Sequence, residues 1–334
     1  MTSLKQRIHG CLVGVAAGDA MGMPTSLMSP GSIRDTFGGD VRDFLPAPEG
    51  HVIHDGMVAG QITDDTQQTL LLADALIETG HIDPQDIANR LLQWAESMGA
   101  FDSMLLGPSS LRALYSIRSG APIETSGVAG DTNGATMRIA PVGIYGHGEL
   151  QETVGAVAAA CMPTHYTNIA IAGASAVAMI IGSAIRGVND LDELLGCAMQ
   201  AVDLGMTKGN TWFGASIKSR TALALEIAGR SDDKLEVMRE LYETVGAGVA
   251  TTETVPVCLG MLRFANGRPV EAIRMAANLG GDCDTTASIV GGMCGAIAGI
   301  SAFPSQWIDT LEEVNDLHLE KYATELAQVV AKGR

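Results

Sequence analysis

An all-α domain is what this sequence of 334 residues predicts, on three observations. Apolar residues recur at three- and four-residue spacing through most of the chain. No stretch alternates apolar and polar residues for long enough to demand a strand. Hydrophobic residues make up 46% and charged residues 18%, which supplies a large core and excludes disorder.

The helical pattern begins at Lys5–Met21. Its basic start and apolar run superficially resemble a signal peptide, but Asp19 and the residues after it read as the first core helix. Further helices are expected at Thr66–Glu78, Pro84–Met98, Ser109–Ser119, Leu150–Cys161, Ile169–Arg186 and Leu191–Asp203. The pattern continues with Trp212–Ala228, Lys234–Val245, Pro269–Ala277, Thr285–Ile300 and Gln306–Ala331. Several open at capping residues and close at Gly; Asp83-Pro84 sets an N-cap beside a proline at the first helical position.

Two uncharged stretches, Tyr166–Ile185 and Thr285–Ile308, are long enough to span a bilayer. Their Ala, Gly, Ser and Thr content and lack of aromatic belts read as buried helices, so no membrane is expected. Gly291, Gly295 and Gly299, with Ala287, leave minimal side chains down one helix face, where a neighbour can approach closely. Gly22–Thr63 and Gly120–Gly148 are long loops with packable hydrophobic residues, expected to be ordered over a site. No linker or repeat divides the chain, so a single domain over 1–334 is expected.

A net charge of −17 and 4% aromatic residues argue against nucleic acid as a partner. The six cysteines form no C-x-x-C pair and read as reduced thiols of a cytoplasmic protein.

Chemistry concentrates at Thr63-Asp64-Asp65-Thr66 and Gly280-Gly281-Asp282-Cys283-Asp284-Thr285, each opening a helix. Asp and Thr are ordinary N-caps, and their charge suits the positive end of a helix dipole. Capping alone explains one or two acids per start, not four carboxylates with hydroxyls at two starts. If the fold joins the two starts, mutual repulsion must be balanced by protons or cations. Oxygen ligands of this kind suit Mg2+ or Mn2+. An EF-hand from Asp282 fails, with Ala287 and Met293 at its Gly and Glu positions. Phosphate-loop, H-E-x-x-H and G-x-S-x-G motifs are absent. His51 and His54, in a loop without a nearby Cys, read as solvated.

Five segments resemble the ADP-ribosylglycohydrolase family: Gly10–Pro24 (GCLVGVAAGDAMGMP), Thr63–Thr66 (TDDT), Asn133–Pro141 (NGATMRIAP), Pro163–His165 (PTH) and Gly280–Thr285 (GGDCDT). They occur in the family's order and cover most of residues 7–300. The resemblance implies a compact orthogonal multi-helix domain with a binuclear site for two Mg2+, or Mn2+, in a ribose-binding cleft built from helix N-termini and long loops. It implies metal ligands Thr63, Asp64, Asp65, Asp282, Asp284 and Thr285. Asp64 or Asp65 would handle the attacking water and Asp284 would bridge the ions, making these three the catalytic residues. Asn133 and Gly134 would meet the substrate's phosphates and His165 would line the substrate site. Arg138 is either an anion ligand or an internal partner holding that loop.

One position departs from the family's Gly-Asp-Ala-Leu-Gly-x-Pro-x-Glu: here Ser26 stands where the Glu belongs. Serine is neither a carboxylate base nor a charged ligand, and Asp40 or Asp55 in the same loop is an open substitute. The implied reaction is hydrolysis of the N-glycosidic bond at ribose C1 of an ADP-ribosyl group on a protein or small molecule. A free nucleoside or nucleotide substrate, or ADP-ribose binding without catalysis, are the alternatives.

Overall fold

Residues 2–332 are described in a computed structural model. Its organising contact is a seam between two glycine-bearing helices, α1 (Leu4–Gly22) and α16 (Cys283–Ala298). A Cβ on Gly14 would stand 2.1 Å from the Gly291 carbonyl oxygen, and one on Gly18 2.0 Å from that of Ala287. A Cβ on Gly22 would meet the Cys283 carbonyl at 2.4 Å. Backbone therefore lies on backbone along four turns of α1, a distance that only glycine permits on that face. The sequence showed one half of this seam in α16; α1 supplies the other half with Gly10, Gly14, Gly18 and Gly22. Because the seam runs to the first residues of α16, it brings the last turn of α1, with Asp19, to the start of α16.

The other α-helices follow in order: α2 (Pro30–Phe37), α3 (Asp64–Thr79), α4 (Pro84–Ser97), α5 (Pro108–Arg118), α6 (Ile123–Ser126), α7 (Gly134–Met137), α8 (Ala140–Gly146) and α9 (Leu150–Cys161). Then come α10 (Asn168–Arg186), α11 (Leu191–Gly205), α12 (Ile217–Arg230), α13 (Lys234–Glu240), α14 (Thr251–Phe264), α15 (Pro269–Ala277), α17 (Ser305–Asn315) and α18 (Leu319–Lys332). Among the described residues there are no strands, only isolated bridges such as Met28 with Gly281 and Thr132 with Ala250. The all-α expectation holds. Helix α10 is long and apolar enough to cross a membrane, but its apolar stretch is wholly buried inside the protein, with only the terminal Arg186 exposed. It is the central helix of one extensive apolar core, apolar on every side because it is covered on every side.

Several boundaries differ from the periodic pattern. Helix α14 was not expected, because Pro256 interrupts the sequence signal; the helix accommodates the proline internally. Helix α12 starts at Ile217 rather than Trp212, where the Ser216 side chain accepts from Ser219 N–H. The final segment is two helices, divided where Asp316 and His318 adopt left-handed backbone at φ 54° and 56°. The long loops are ordered and contain the short helices α2, α6, α7 and α8.

Candidate active site

The starts of α3 and α16 meet beside the end of α1. Asp19 on α1 is fully buried and accepts from four donors at the start of α3. The Thr63 N–H and hydroxyl donate at 3.0 and 2.8 Å, and those of Thr66 at 3.1 and 2.5 Å. A carboxylate from another helix thus caps α3 together with Thr63, whose hydroxyl accepts from the Asp65 N–H at 3.4 Å. Burial pushes Asp19 up to about 6, against the lowering effect of these donors.

Relieved of capping, Asp64 and Asp65 are available to the site. Both are held well above the usual carboxylate range, first by burial and then by neighbouring aspartates, Asp284 foremost for Asp64 and Asp19 for Asp65. Asp64 is partly exposed and accepts from Gln68 Nε2 at 3.1 Å. Asp65 is 2% exposed, and its Oδ1 has no hydrogen-bond partner. Its Oδ2 receives only long contacts of 3.4 Å from the Thr63 and Thr285 hydroxyls.

At the start of α16, Asp282 accepts from Asn133 Nδ2 at 2.5 Å, and its backbone N–H donates to the Ala247 carbonyl. Burial and the charge of Asp284 push Asp282 up to about 8. Asp284 behaves differently. Burial pushes it up, but the hydrogen bond and charge of His54, the Ser26 hydroxyl and the Thr285 N–H together hold it below the usual value. The distances are 2.9 Å from His54 Nε2, 2.6 Å from Ser26 Oγ and 3.0 Å from Thr285 N.

His51 and His54 are therefore not the solvated histidines expected. Both are buried and stacked, with ring centroids 5.2 Å apart. The open question about the missing family Glu also receives an answer. Asp40 faces Lys234 at 3.8 Å and Asp55 accepts from Gly50 N–H, while His54 and Ser26 are the loop residues that reach a site carboxylate.

The Asn133–Gly134 loop is fixed through one amide nitrogen, since Asn133 Nδ2 also donates to Thr254 Oγ1 at 2.9 Å. His165 lies fully buried beneath Gly134, where an added Cβ would stand 2.9 Å from its ring. The His165 ring reaches Thr132 Oγ1 and Thr164 Oγ1, and burial holds it in the neutral form. In this placement it supports the loop from below. Arg138 resolves as an internal partner: its two terminal nitrogens, Nη1 and Nη2, donate to Gln68 and Thr164 at 2.6 Å each, and Gln68 passes the contact on to Asp64.

Among the described residues no three His, Cys, Asp or Glu side chains are already arranged as a metal cage. The donor set of Thr63, Asp64, Asp65, Asp282, Asp284 and Thr285 is nonetheless all oxygen and suits a hard divalent cation. The partnerless buried Asp65 Oδ1 is the observation that fits one, since such an atom loses solvation with nothing in return. Asp19, Ser26 and His54 were not among the site residues read from the sequence. Ser26 was marked as a departure at the family's Glu position and Asp19 lies within the matching Gly10–Pro24 segment, but no local signal marks His54.

The helical fold thus brings two acidic helix starts together around an oxygen-rich centre, and the family to which the chain belongs makes it a hydrolase of glycosidic bonds. The ADP-ribosylglycohydrolase pattern matches residues 1–334, and the chain belongs to that family. It is 38% identical over 328 residues to the uncharacterized protein YegU of Escherichia coli K12, covering 97% of each chain. It is 26% identical to the ADP-ribosylarginine hydrolase Tri1 of Pseudomonas putida, covering 96% of this chain and 77% of that one. A solved structure described as an ADP-ribosylglycohydrolase-related protein complex superposes with a TM-score of 0.71 at 25% identity, covering 99% of this chain and 100% of that one.

Proposed function

We propose that this enzyme hydrolyses the N-glycosidic bond at ribose C1 of an ADP-ribosyl group, with Mg2+ or Mn2+ at the aspartate cluster. One observation carries the reading: four aspartates from two helix starts share a buried centre, and Asp65 Oδ1 within it has no partner. Thr63, Asp64, Asp65, Asp282, Asp284 and Thr285 would hold the cation. When bound, the cation supplies positive charge that orients ribose hydroxyls and acidifies a water. The family membership and the named activity of the Pseudomonas relative support an ADP-ribosyl substrate.

The residues then have distinct tasks. As the C1–N bond breaks, positive charge develops at C1, and the anionic Asp284 and its neighbours stabilise it electrostatically. Asp64, the partly exposed carboxylate, takes the proton from the water whose oxygen bonds to C1. The proton taken by Asp64 passes to the departing nitrogen, which regenerates the carboxylate and adds one water across the C1–N bond. Asn133 holds Asp282 in place, while the loop it shares with Gly134 receives the phosphates.

Burial of Asp65, Asp282 and Asp284 favours a slim leaving group, a single side chain or a small molecule, over a broad protein surface. Release of ADP-ribose from an ADP-ribosylated peptide, compared with base release from free nucleosides, tests the assignment. Faster turnover of the peptide is expected. Turnover of nucleosides alone would transfer the site to nucleoside hydrolysis.

A further inference from the structure

The acceptor sites around Asp284 limit what that carboxylate can still bind. A carboxylate offers about four lone-pair sites, two on each oxygen. Oδ1 already receives the Ser26 hydroxyl at 2.6 Å and the Thr285 N–H at 3.0 Å. Oδ2 receives His54 Nε2 at 2.9 Å. One acceptor site is left, and the Asp282 side chain lies within hydrogen-bond reach of this carboxylate.

These donors are anchored. The backbone N–H groups of Ile53 and His54 donate to His51 Nδ1 at 3.3 and 3.0 Å. With its Nδ1 accepting, the His51 ring carries its proton on Nε2, which donates to the Ser26 carbonyl at 2.9 Å. Ser26, His51 and His54 form one buried unit seated on Asp284, and withdrawing it would strand several buried polar groups. Across the cluster the situation is reversed. Asp65 Oδ1 has no partner, and Oδ2 receives only the two 3.4 Å contacts.

A carboxylate that bridges two cations must give a lone pair to each, and Asp284 has one to give. We infer that this chain binds a single divalent cation, held chiefly by Asp65, because Ser26 and His54 occupy the positions on Asp284 that a second ion would need. The inference rests on the cation reading proposed above and replaces the two ions that the family resemblance implies.

The metal-stripped full chain titrated with Mn2+, followed by calorimetry and by paramagnetic resonance of free Mn2+, reads the stoichiometry directly. The wild-type chain is expected to take one equivalent. His54→Ala opens a site on Oδ2 and is expected to raise this to two, whereas His54→Gln keeps an N–H donor and stays at one. Ser26→Ala opens a site on Oδ1 and provides an independent route to two should His54→Ala fail to fold. Two equivalents in the wild-type chain would overturn the inference and leave the cation reading standing. No binding at all would overturn both, and one equivalent in folded His54→Ala and Ser26→Ala would overturn the blocking role.

Discussion

The two helix starts that build the site solve the same problem in opposite ways. At α3 the capping is done largely by Asp19 from another helix, so Asp64 and Asp65 are left with few donors and are driven toward their protonated forms. At α16 the acid is instead saturated with donors: Asp284 has His54, Ser26 and the Thr285 N–H, and it is held ionised. The α3 start therefore demands a proton or cation at both acids, whereas the α16 start pairs one such acid, Asp282, with a fixed negative charge on Asp284. An acidic cluster need not be uniform, and the difference comes from partners far away in sequence rather than from the aspartates themselves.

The comparison is broken most completely by separating the two starts. Gly14→Val sets a branched side chain where even a Cβ would lie 2.1 Å from the Gly291 carbonyl, against backbone that cannot yield. Overpacking with room to adjust costs about 1–3 kcal/mol. Here the cost is expected to exceed that range and leave little folded protein, measurable as loss of cooperative unfolding by circular dichroism. A folded variant with an unchanged melting temperature would show that the seam does not set the site.

Next in size is Asp65→Asn, which leaves the α16 start intact and removes the demanding charge from the α3 start. Turnover is expected to fall by about 10³-fold, equivalent to about 4 kcal/mol of barrier, with weakened Mg2+ binding. Retention of full metal affinity and full turnover would contradict the role given to Asp65.

Asp19→Ala tests whether the trans cap is what frees the α3 acids. It strands the N–H groups of Thr63 and Thr66, for an expected loss of about 2–4 kcal/mol, read in a denaturant melt. No loss would mean that α3 caps itself.

The smallest effect is on pH dependence. Asp19 at about 6 and Asp282 at about 8 lie above the 3.8 of an unperturbed aspartate, so between about pH 4 and pH 8 the folded chain holds protons that the unfolded chain has released. Stability therefore falls as pH rises through that window. Asp284, held below the usual value, has the opposite sign, and its contribution is lost only as pH falls below about 4. The buried, neutral His165 and His51 also work in the opposite direction, but only below about pH 6.5. The metal-stripped protein is therefore expected to melt lower at pH 8 than at about pH 6.5, and saturating Mg2+ to flatten the slope. A metal-free stability that rises from about pH 6.5 to pH 8 would contradict the assignment.

Much of the α3 and α16 starts was legible in the sequence, because Asp and Thr clusters ahead of apolar periodicity are local signals. What distinguishes the two starts was not. Asp19 caps α3 from 44 residues away, and His54 and Ser26 reach Asp284 across 230 and 258 residues. A histidine in a glycine-rich loop has no periodicity to declare that it is buried. Helix α14 was hidden for a different reason, since Pro256 suppresses the local pattern while the surrounding core sustains the helix. Ser26 was noticed as a departure, but its hydrogen bond to Asp284 emerges only when the loop is folded over the site.

The central claim is that these two starts together make a cation-dependent glycosidic hydrolase. The most direct test is release of ADP-ribose from an ADP-ribosylated peptide by metal-stripped protein, before and after Mg2+ is restored. Turnover that is negligible when stripped and recovers on adding Mg2+ is the predicted result. Undiminished turnover in the stripped protein under excess chelator would contradict it.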